Sequence, residues 1–197
     1  MTTWVENPSG GRDRGPRGIA RAWLEVVTRP RRFFDNGVAA GDQAPGLVFA
    51  VVMAVGYAVL LAVVDPGRFP VSGPIRAGVT ILLVGVLIAP AILHLLAALQ
   101  TIALMIVVRD RAGVSETVQV LGYATAPCPL AAVPVPGLRA ACCLYGAALL
   151  VIGLATIHDT TRWRASLTGT LPATLLFGYG FGGVGALTTL LRAWYII

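Results

Sequence analysis

The chain has 197 residues, of which 56% are hydrophobic and only 12% are charged, and its mean hydropathy is +0.78. Soluble domains carry about 25% charged residues, so this composition excludes an ordinary soluble domain. Uncharged runs about as long as a hydrocarbon core is thick recur along the chain, and they lack the alternation of a β-barrel. We therefore predict an all-α fold, a polytopic transmembrane helical bundle.

The net charge is +6, and all fifteen basic residues are arginine. Arginine without lysine, together with much alanine, valine, glycine and proline, is typical of GC-rich genomes and predicts a prokaryotic cell-membrane protein. The positive charge is explained by the excess of basic residues that marks cytoplasmic loops. A nucleic-acid partner is not predicted, because the chain has no soluble domain large enough for a basic binding surface.

Two polar segments precede the first apolar run. Residues 1–18 are rich in glycine, proline and charge, which predicts a disordered cytoplasmic tail. Residues 19–45 follow as a basic and aromatic interfacial segment. Its centre predicts a lipid interface, with rings in the headgroup layer and guanidinium groups on anionic lipid; a plain topology anchor is the alternative. The residues concerned are Arg29, Arg31, Arg32, Phe33 and Phe34.

Residues 46–197 are predicted to form the membrane domain, with five spans. The second run is long, but no polar turn divides it at Pro90, so we treat it as one helix. The predicted spans cover residues 46–64, 77–108, 118–135, 138–157 and 165–191. Five spans separate the two ends of the chain, and eleven of the fifteen arginines fall on the side of the N-terminus. This predicts a cytoplasmic N-terminus.

The third predicted span contains helix breakers at bilayer depth. Pro127 and Pro129 lack the backbone N–H groups that would reach the carbonyls of Tyr123 and Thr125 in a regular helix. We predict a kink near Pro127, and we expect the freed carbonyls to find partners on neighbouring spans or in water. The stretch from Tyr123 to Pro129 is therefore the predicted special site.

The predicted spans contain few ionisable or reactive side chains. His94 could be a ligand or proton-transfer group, but one hydrogen bond to a neighbouring helix is the favoured interpretation. His158 and Asp159 could form a base with its orienting carboxylate, but a helix end followed by a solvated loop is favoured. We therefore predict no catalytic residue, no metal ligand and no cofactor, and a protein that is not an enzyme.

The fifth predicted span is rich in glycine. Gly178, Gly180 and Gly183 have the spacing of a dinucleotide-binding fingerprint, but no strand precedes them and the surroundings are apolar. Gly178, Gly182 and Ala186 instead form a stripe of small residues on one predicted helix. Such stripes let two helix backbones approach closely, so we predict a helix-packing surface here.

Three stretches in order resemble one family: "WLEVVTRPRRFF", "GVSETVQVLGYATAP" and "LYGAALLVIGLATIHDTTRWRA". Together with five spans and a polar N-terminal segment, they resemble the Yip family, the Ypt-interacting proteins and their prokaryotic relatives, over about residues 22–191. The positions that match the pattern are Gly122, Tyr123, Pro127 and Gly153. With Pro129 they make up the predicted family-signature and kink site.

Eukaryotic members of this family are five-span proteins that bind Rab-type small GTPases and related Yip proteins, and act in vesicle formation or membrane shaping. The resemblance implies the same membrane domain here, with a small GTPase as a candidate partner. The "DLYGP"-type stretch of eukaryotic members is absent. We predict a non-enzymatic, membrane-organising or trafficking-type scaffold that contacts the bilayer and associates with itself or another membrane protein. The alternative is a small transporter or permease subunit with a proline-broken third span, because discontinuous helices line transport sites.

Overall fold

A computed structural model describes residues 15–195, so most of the predicted tail over 1–18 lies outside the described residues. This range folds into α-helices joined by short turns. In chain order they are α1 Pro16–Thr28, α2 Pro30–Gly37, α3 Ala44–Val64, α4 Pro74–Leu83, α5 Ala89–Val107, α6 Val114–Ala124, α7 Pro136–Ile157, α8 Arg162–Ala173 and α9 Gly183–Ala193. Helices α1, α2, α3 and α7 begin with proline in their first turn, where its missing N–H is harmless.

Three helices are long and apolar enough to cross a membrane: Ala44–Val64, Pro74–Val107 and Pro136–Ile157. The second has 34 residues, because a π-helical turn at Val84–Ile88 joins α4 to α5 without a break. The prediction of one helix through Pro90 is therefore confirmed. Large apolar side chains are exposed along this helix, including Ile75, Leu95 and Ile106, as expected for a helix in contact with lipid.

The fifth predicted span is bent. Helix α8 continues through a π-helical stretch, Thr174–Gly180, and α9 then leaves at an angle of 75°. Gly182 lies at the bend with a φ of 77°, in the left-handed region that glycine adopts without strain. The bent pair counts as a fourth candidate span if its two arms cross together.

The bend also separates the predicted stripe of small residues. Gly178 lies before it, Gly182 forms it and Ala186 follows it, so the three do not share one continuous helix face. The predicted stripe requires an unbroken helix, and the left-handed conformation of Gly182 interrupts the helix. Close packing occurs instead at Gly183, where an added Cβ would lie 2.9 Å from the Cβ of Cys143 on α7.

Helix α6 has only 11 residues and is followed by a 3₁₀ helix, Cys128–Ala132. Residues 117–128 are all buried, and the neighbouring helices are α3, α5 and α7. Irregular backbone is tolerated at bilayer depth only where protein or a water-filled cavity surrounds it. We refer to α6 and this 3₁₀ helix, residues 114–132, as the broken segment. It thus occupies the centre of the bundle.

Candidate functional site

The predicted break near Pro127 is present, and the chain itself satisfies the carbonyls that the prolines free. The N–H of Ala126 donates to the carbonyl of Tyr123 at 3.1 Å, and the N–H of Cys128 donates to that of Thr125 at 2.9 Å. These are the tighter i to i+3 bonds of a 3₁₀ turn. The expectation that neighbouring spans or water supply these partners was wrong, because tightening the turn brings nearby N–H groups within reach.

A neighbouring element does satisfy one carbonyl of the break. The indole Nε1 of Trp23, on α1, donates to the carbonyl oxygen of Ala126 at 2.8 Å. Nearby, the hydroxyl of Tyr145 on α7 donates to the carbonyl of Val27. Tyr145 lies near the middle of α7, so α1 packs against the bundle well below the helix ends. The N-terminal helix is therefore part of the folded domain, as a cover over the broken segment.

Tyr123 is the centre of an aromatic cluster. Its ring lies 4.7 Å from that of Phe33 and 5.1 Å from that of Phe49, measured between centroids. Phe33 in turn meets Phe34 edge to face, with centroids 5.6 Å apart. All four side chains are almost completely buried. We refer to Phe33, Phe34, Phe49 and Tyr123 as the aromatic cluster.

This burial corrects the predicted lipid interface. Phe33 and Phe34 are each 0% exposed, so their rings belong to the protein core and do not lie in a headgroup layer. The prediction failed because α2 packs against α7, a long-range contact that is invisible in the local sequence. Arg29, Arg31 and Arg32 are exposed, as an interfacial role requires.

Two glycines that carry the family resemblance allow close helix contacts. A Cβ added at Gly122, on α6, would collide with the carbonyl oxygen of Gly46 on α3. A Cβ added at Gly153, on α7, would lie 2.7 Å from Val120 Cγ1 and 2.9 Å from Phe34 Cζ. The structure therefore brings Gly122, Tyr123 and Gly153 together around α6, where they serve packing.

Polar side chains of α6 fasten the loop between α2 and α3. The Gln119 side chain accepts from the N–H of Ala39 at 3.1 Å and donates to the carbonyl of the same residue at 2.7 Å. Glu116 accepts from the N–H of Gly41 at 3.2 Å. These hydrogen bonds were not predicted from the sequence, because no local sequence pattern connects residues about 80 positions apart.

At the opposite end of the break, Arg139 caps the 3₁₀ helix. Its Nε donates to the carbonyl of Ala131 at 2.9 Å, and its Nη2 donates to that of Val133 at 3.3 Å. Asp65 lies 3.9 Å from Arg139 and 3.6 Å from Arg68. In the sequence these arginines counted only toward topology, and their capping role was not predicted.

His94 and Gln100, both on α5, lie in different surroundings. His94 is exposed, and its Nδ1 lies 2.7 Å from the carbonyl of Pro90 on the same helix, so the expected bond to a neighbouring helix is replaced by a local one. Gln100 is fully buried, and its amide has no hydrogen-bond partner within the described part of the chain.

The turn between α7 and α8 lies between two polar cavities. A cavity of about 300 Å³ is lined by Arg31, Asp35 and Arg162, and one of about 560 Å³ by Arg109, Asp110 and Arg164. Asp159 and Thr160 line both. Arginines from three separate segments of the chain therefore converge at this end of the bundle.

His158, in the same turn, is too enclosed to act as a base on a bound molecule. It is 1% exposed, and its Nε2 lies 3.4 Å from the hydroxyl of Thr117. Burial lowers its pKa to about 4, an effect that Glu116 opposes and Arg111 reinforces. The imidazole is thus neutral and enclosed, whereas Asp159 is exposed. Among residues 15–195, no group of three or more histidine, cysteine, aspartate or glutamate side chains could hold a metal ion.

Comparison with known families gave one match. The Yip1 domain model matches residues 24–184, which extend from α1, through the broken segment and the aromatic cluster, to the start of α9. Comparisons with curated proteins and with solved structures gave no match.

Proposed function

Because the chain belongs to the Yip family, we propose that it is a non-enzymatic integral membrane protein that organises the membrane by associating with itself or with another membrane protein. The observation that carries this proposal is that the family-signature residues serve helix packing. The helices approach closely at Gly122 and Gly153, and the ring of Tyr123 packs in the centre of the bundle. Residues committed to packing favour a structural role over chemistry at the same positions.

The distribution of arginine supports five crossings with a cytoplasmic N-terminus. The broken segment, although not a regular span, is buried in the bundle and can make the third crossing. Arg31, Arg109, Arg162 and Arg164 lie around the cavities at one end, and Arg68 and Arg139 meet Asp65 at the other. An excess of arginine on one side is the pattern of cytoplasmic loops. Cysteine labelling from outside intact cells should then modify a cysteine placed at Tyr195 and spare one placed at Thr161.

The scaffold role is tested in native membranes. Cross-linking before mild solubilisation, followed by affinity isolation, should recover oligomers or a defined membrane-protein partner. Recovery of a monomer alone, with no cross-linked membrane protein, would contradict the proposal. Isolation in the presence of GTP analogues tests the small-GTPase partner that family membership suggests, and a nucleotide-dependent GTPase among the products would support it.

A transporter or permease subunit remains the second candidate, and two observations favour it. The pair α8 and α9 forms a broken helix with a 75° bend, and broken helices line transport sites. The buried amide of Gln100 has no partner in the described part of the chain, although unpaired polar groups at bilayer depth are costly. Substrate-dependent flux in proteoliposomes that is lost in Gln100→Leu would support transport over scaffolding.

A further inference from the structure

The smaller polar cavity combines charges of both signs. Arg31 and Asp35 enter it from α2, Arg162 from the first turn of α8, and Asp159 and Thr160 from the turn between α7 and α8. Ile152 and Ala155 of α7 form an apolar part of the wall. At about 300 Å³, the cavity is at the lower end of the range for small-ligand sites.

The two arginines and two aspartates leave their charges available. None of Arg31, Asp35, Asp159 and Arg162 takes part in an ion pair with another residue between 15 and 195. The hydroxyl oxygen of Thr160 is also buried, without a hydrogen-bond partner in that range. Opposite charges that do not neutralise each other suit a ligand that carries both signs.

The position of the cavity fits a lipid headgroup. It lies where α7 ends at Ile157 and α8 begins at Arg162, and both helices contribute to candidate spans. Its apolar wall, Ile152 and Ala155, lies in the last two turns of α7. The acyl chains of a lipid bound there would leave the cavity past these two half-buried apolar side chains.

The wall of the cavity also distinguishes between headgroups. A purely anionic headgroup would be repelled by Asp35 and Asp159. Quaternary ammonium groups are typically held in aromatic cages, and no aromatic side chain lines this cavity in the described part of the chain. A primary ammonium can instead donate hydrogen bonds to carboxylates and to a threonine hydroxyl, while arginines pair with phosphate.

We propose that this cavity binds a phosphoethanolamine group, with Arg31 and Arg162 on the phosphate and Asp35 and Asp159 on the ammonium. The site needs a membrane-embedded protein, which family membership and the apolar helices support, but it does not depend on the scaffold role. Its failure and the failure of self-association would therefore appear in different experiments.

Native mass spectrometry of the delipidated full chain tests the site, with phosphatidylethanolamine, phosphatidylglycerol and phosphatidylcholine as probes. We expect phosphatidylethanolamine to be retained several-fold better than either of the other two. Equal retention of all three lipids by the unmodified protein would overturn the proposal, whatever the variants do.

Variants at the cavity sharpen the test. The double change Arg31→Gln and Arg162→Gln should lower phosphatidylethanolamine binding at least tenfold. Asp35→Asn with Asp159→Asn should lower it too, and raise phosphatidylglycerol binding by removing repulsion; asparagine tolerates the left-handed backbone of Asp159, whose φ is 42°. Arg192→Gln, outside both polar cavities, is the matched control and should change nothing. An unchanged lipid preference in both double variants would count against the site.

Soluble glycerophosphoethanolamine distinguishes the source of the headgroup. If the ligand is a lipid, the soluble compound should displace it only at concentrations several orders of magnitude higher, because it lacks the buried acyl chains. Displacement at comparable concentrations would assign the site to a soluble phosphoethanolamine compound and support the recognition chemistry. Absence of binding by both the lipid and the soluble compound would contradict that chemistry.

Discussion

The indole of Trp23 donates a hydrogen bond to the carbonyl of Ala126, 2.8 Å away, and so joins two residues that are 103 positions apart. Ala126 lies between α6 and the 3₁₀ helix, in the part of the chain that prolines prevent from forming a regular helix. The N-terminal helix thereby becomes a structural partner of the break.

Trp23→Phe tests this bond, because it keeps the apolar ring and removes the donor. The change should lower the free energy of unfolding by about 1–3 kcal/mol, since the carbonyl of Ala126 loses its partner. Thermal unfolding in detergent measures the loss, and limited proteolysis should show faster cleavage near Thr28. Trp163→Phe is the control, because Trp163 is 75% exposed; equal effects of the two changes would refute the role of this bond.

Gly122→Ala should be strongly destabilising, because the added methyl group meets the backbone carbonyl of Gly46. A backbone atom cannot move aside as a flexible side chain can, so we expect a loss of at least about 2 kcal/mol. The control is Gly185→Ala in α9, where an added Cβ meets nothing within 4 Å. That change should be neutral or slightly stabilising. Chemical denaturation of both variants in the same detergent measures the difference.

Phe33→Ala separates a core role from a lipid-interface role. Because Phe33 is fully buried against Tyr123, its truncation should cost about 3–5 kcal/mol of unfolding free energy. An interfacial ring would instead affect lipid binding and leave stability nearly unchanged. Leu24→Ala is the matched control, because Leu24 is 55% exposed on the neighbouring helix. If the Phe33→Ala protein is as stable as the unmodified protein, Phe33 does not have a core role in the aromatic cluster.

His158 should make the stability of the protein depend on pH. Burial lowers its pKa to about 4, below its usual value of 6.5, so between these values the unfolded chain binds a proton that the folded chain excludes. The contribution is complete above pH 6.5, falls as the pH decreases and is lost near pH 4. Its size is at most about 3 kcal/mol.

Unfolding measured between pH 4 and pH 7 tests this effect. His158→Gln should flatten the dependence over that window, and His94→Gln, which changes the other of the two histidines in the chain, is the control and should retain it. A slope that survives His158→Gln would assign the dependence to other groups.

The sequence by itself determined the membrane class, the family, the main helical spans and the break near Pro127. Each follows from local properties, because uncharged runs fit a hydrocarbon core and proline removes a backbone donor wherever the chain goes. The family blocks also singled out Gly122, Tyr123 and Gly153, although without a role for them.

The tertiary structure alone decided how these pieces are used. Phe33 and Phe34 have the local sequence of an interfacial segment, yet they are core residues because α2 packs against α7. The expected glycine stripe is interrupted because Gly182 adopts a left-handed conformation. Trp23, Gln119 and Arg139 bond to backbone groups in other elements, and the polar cavity collects charges from α2 and the α7–α8 turn. Such pairings depend on helix packing in three dimensions, which local residue patterns do not encode.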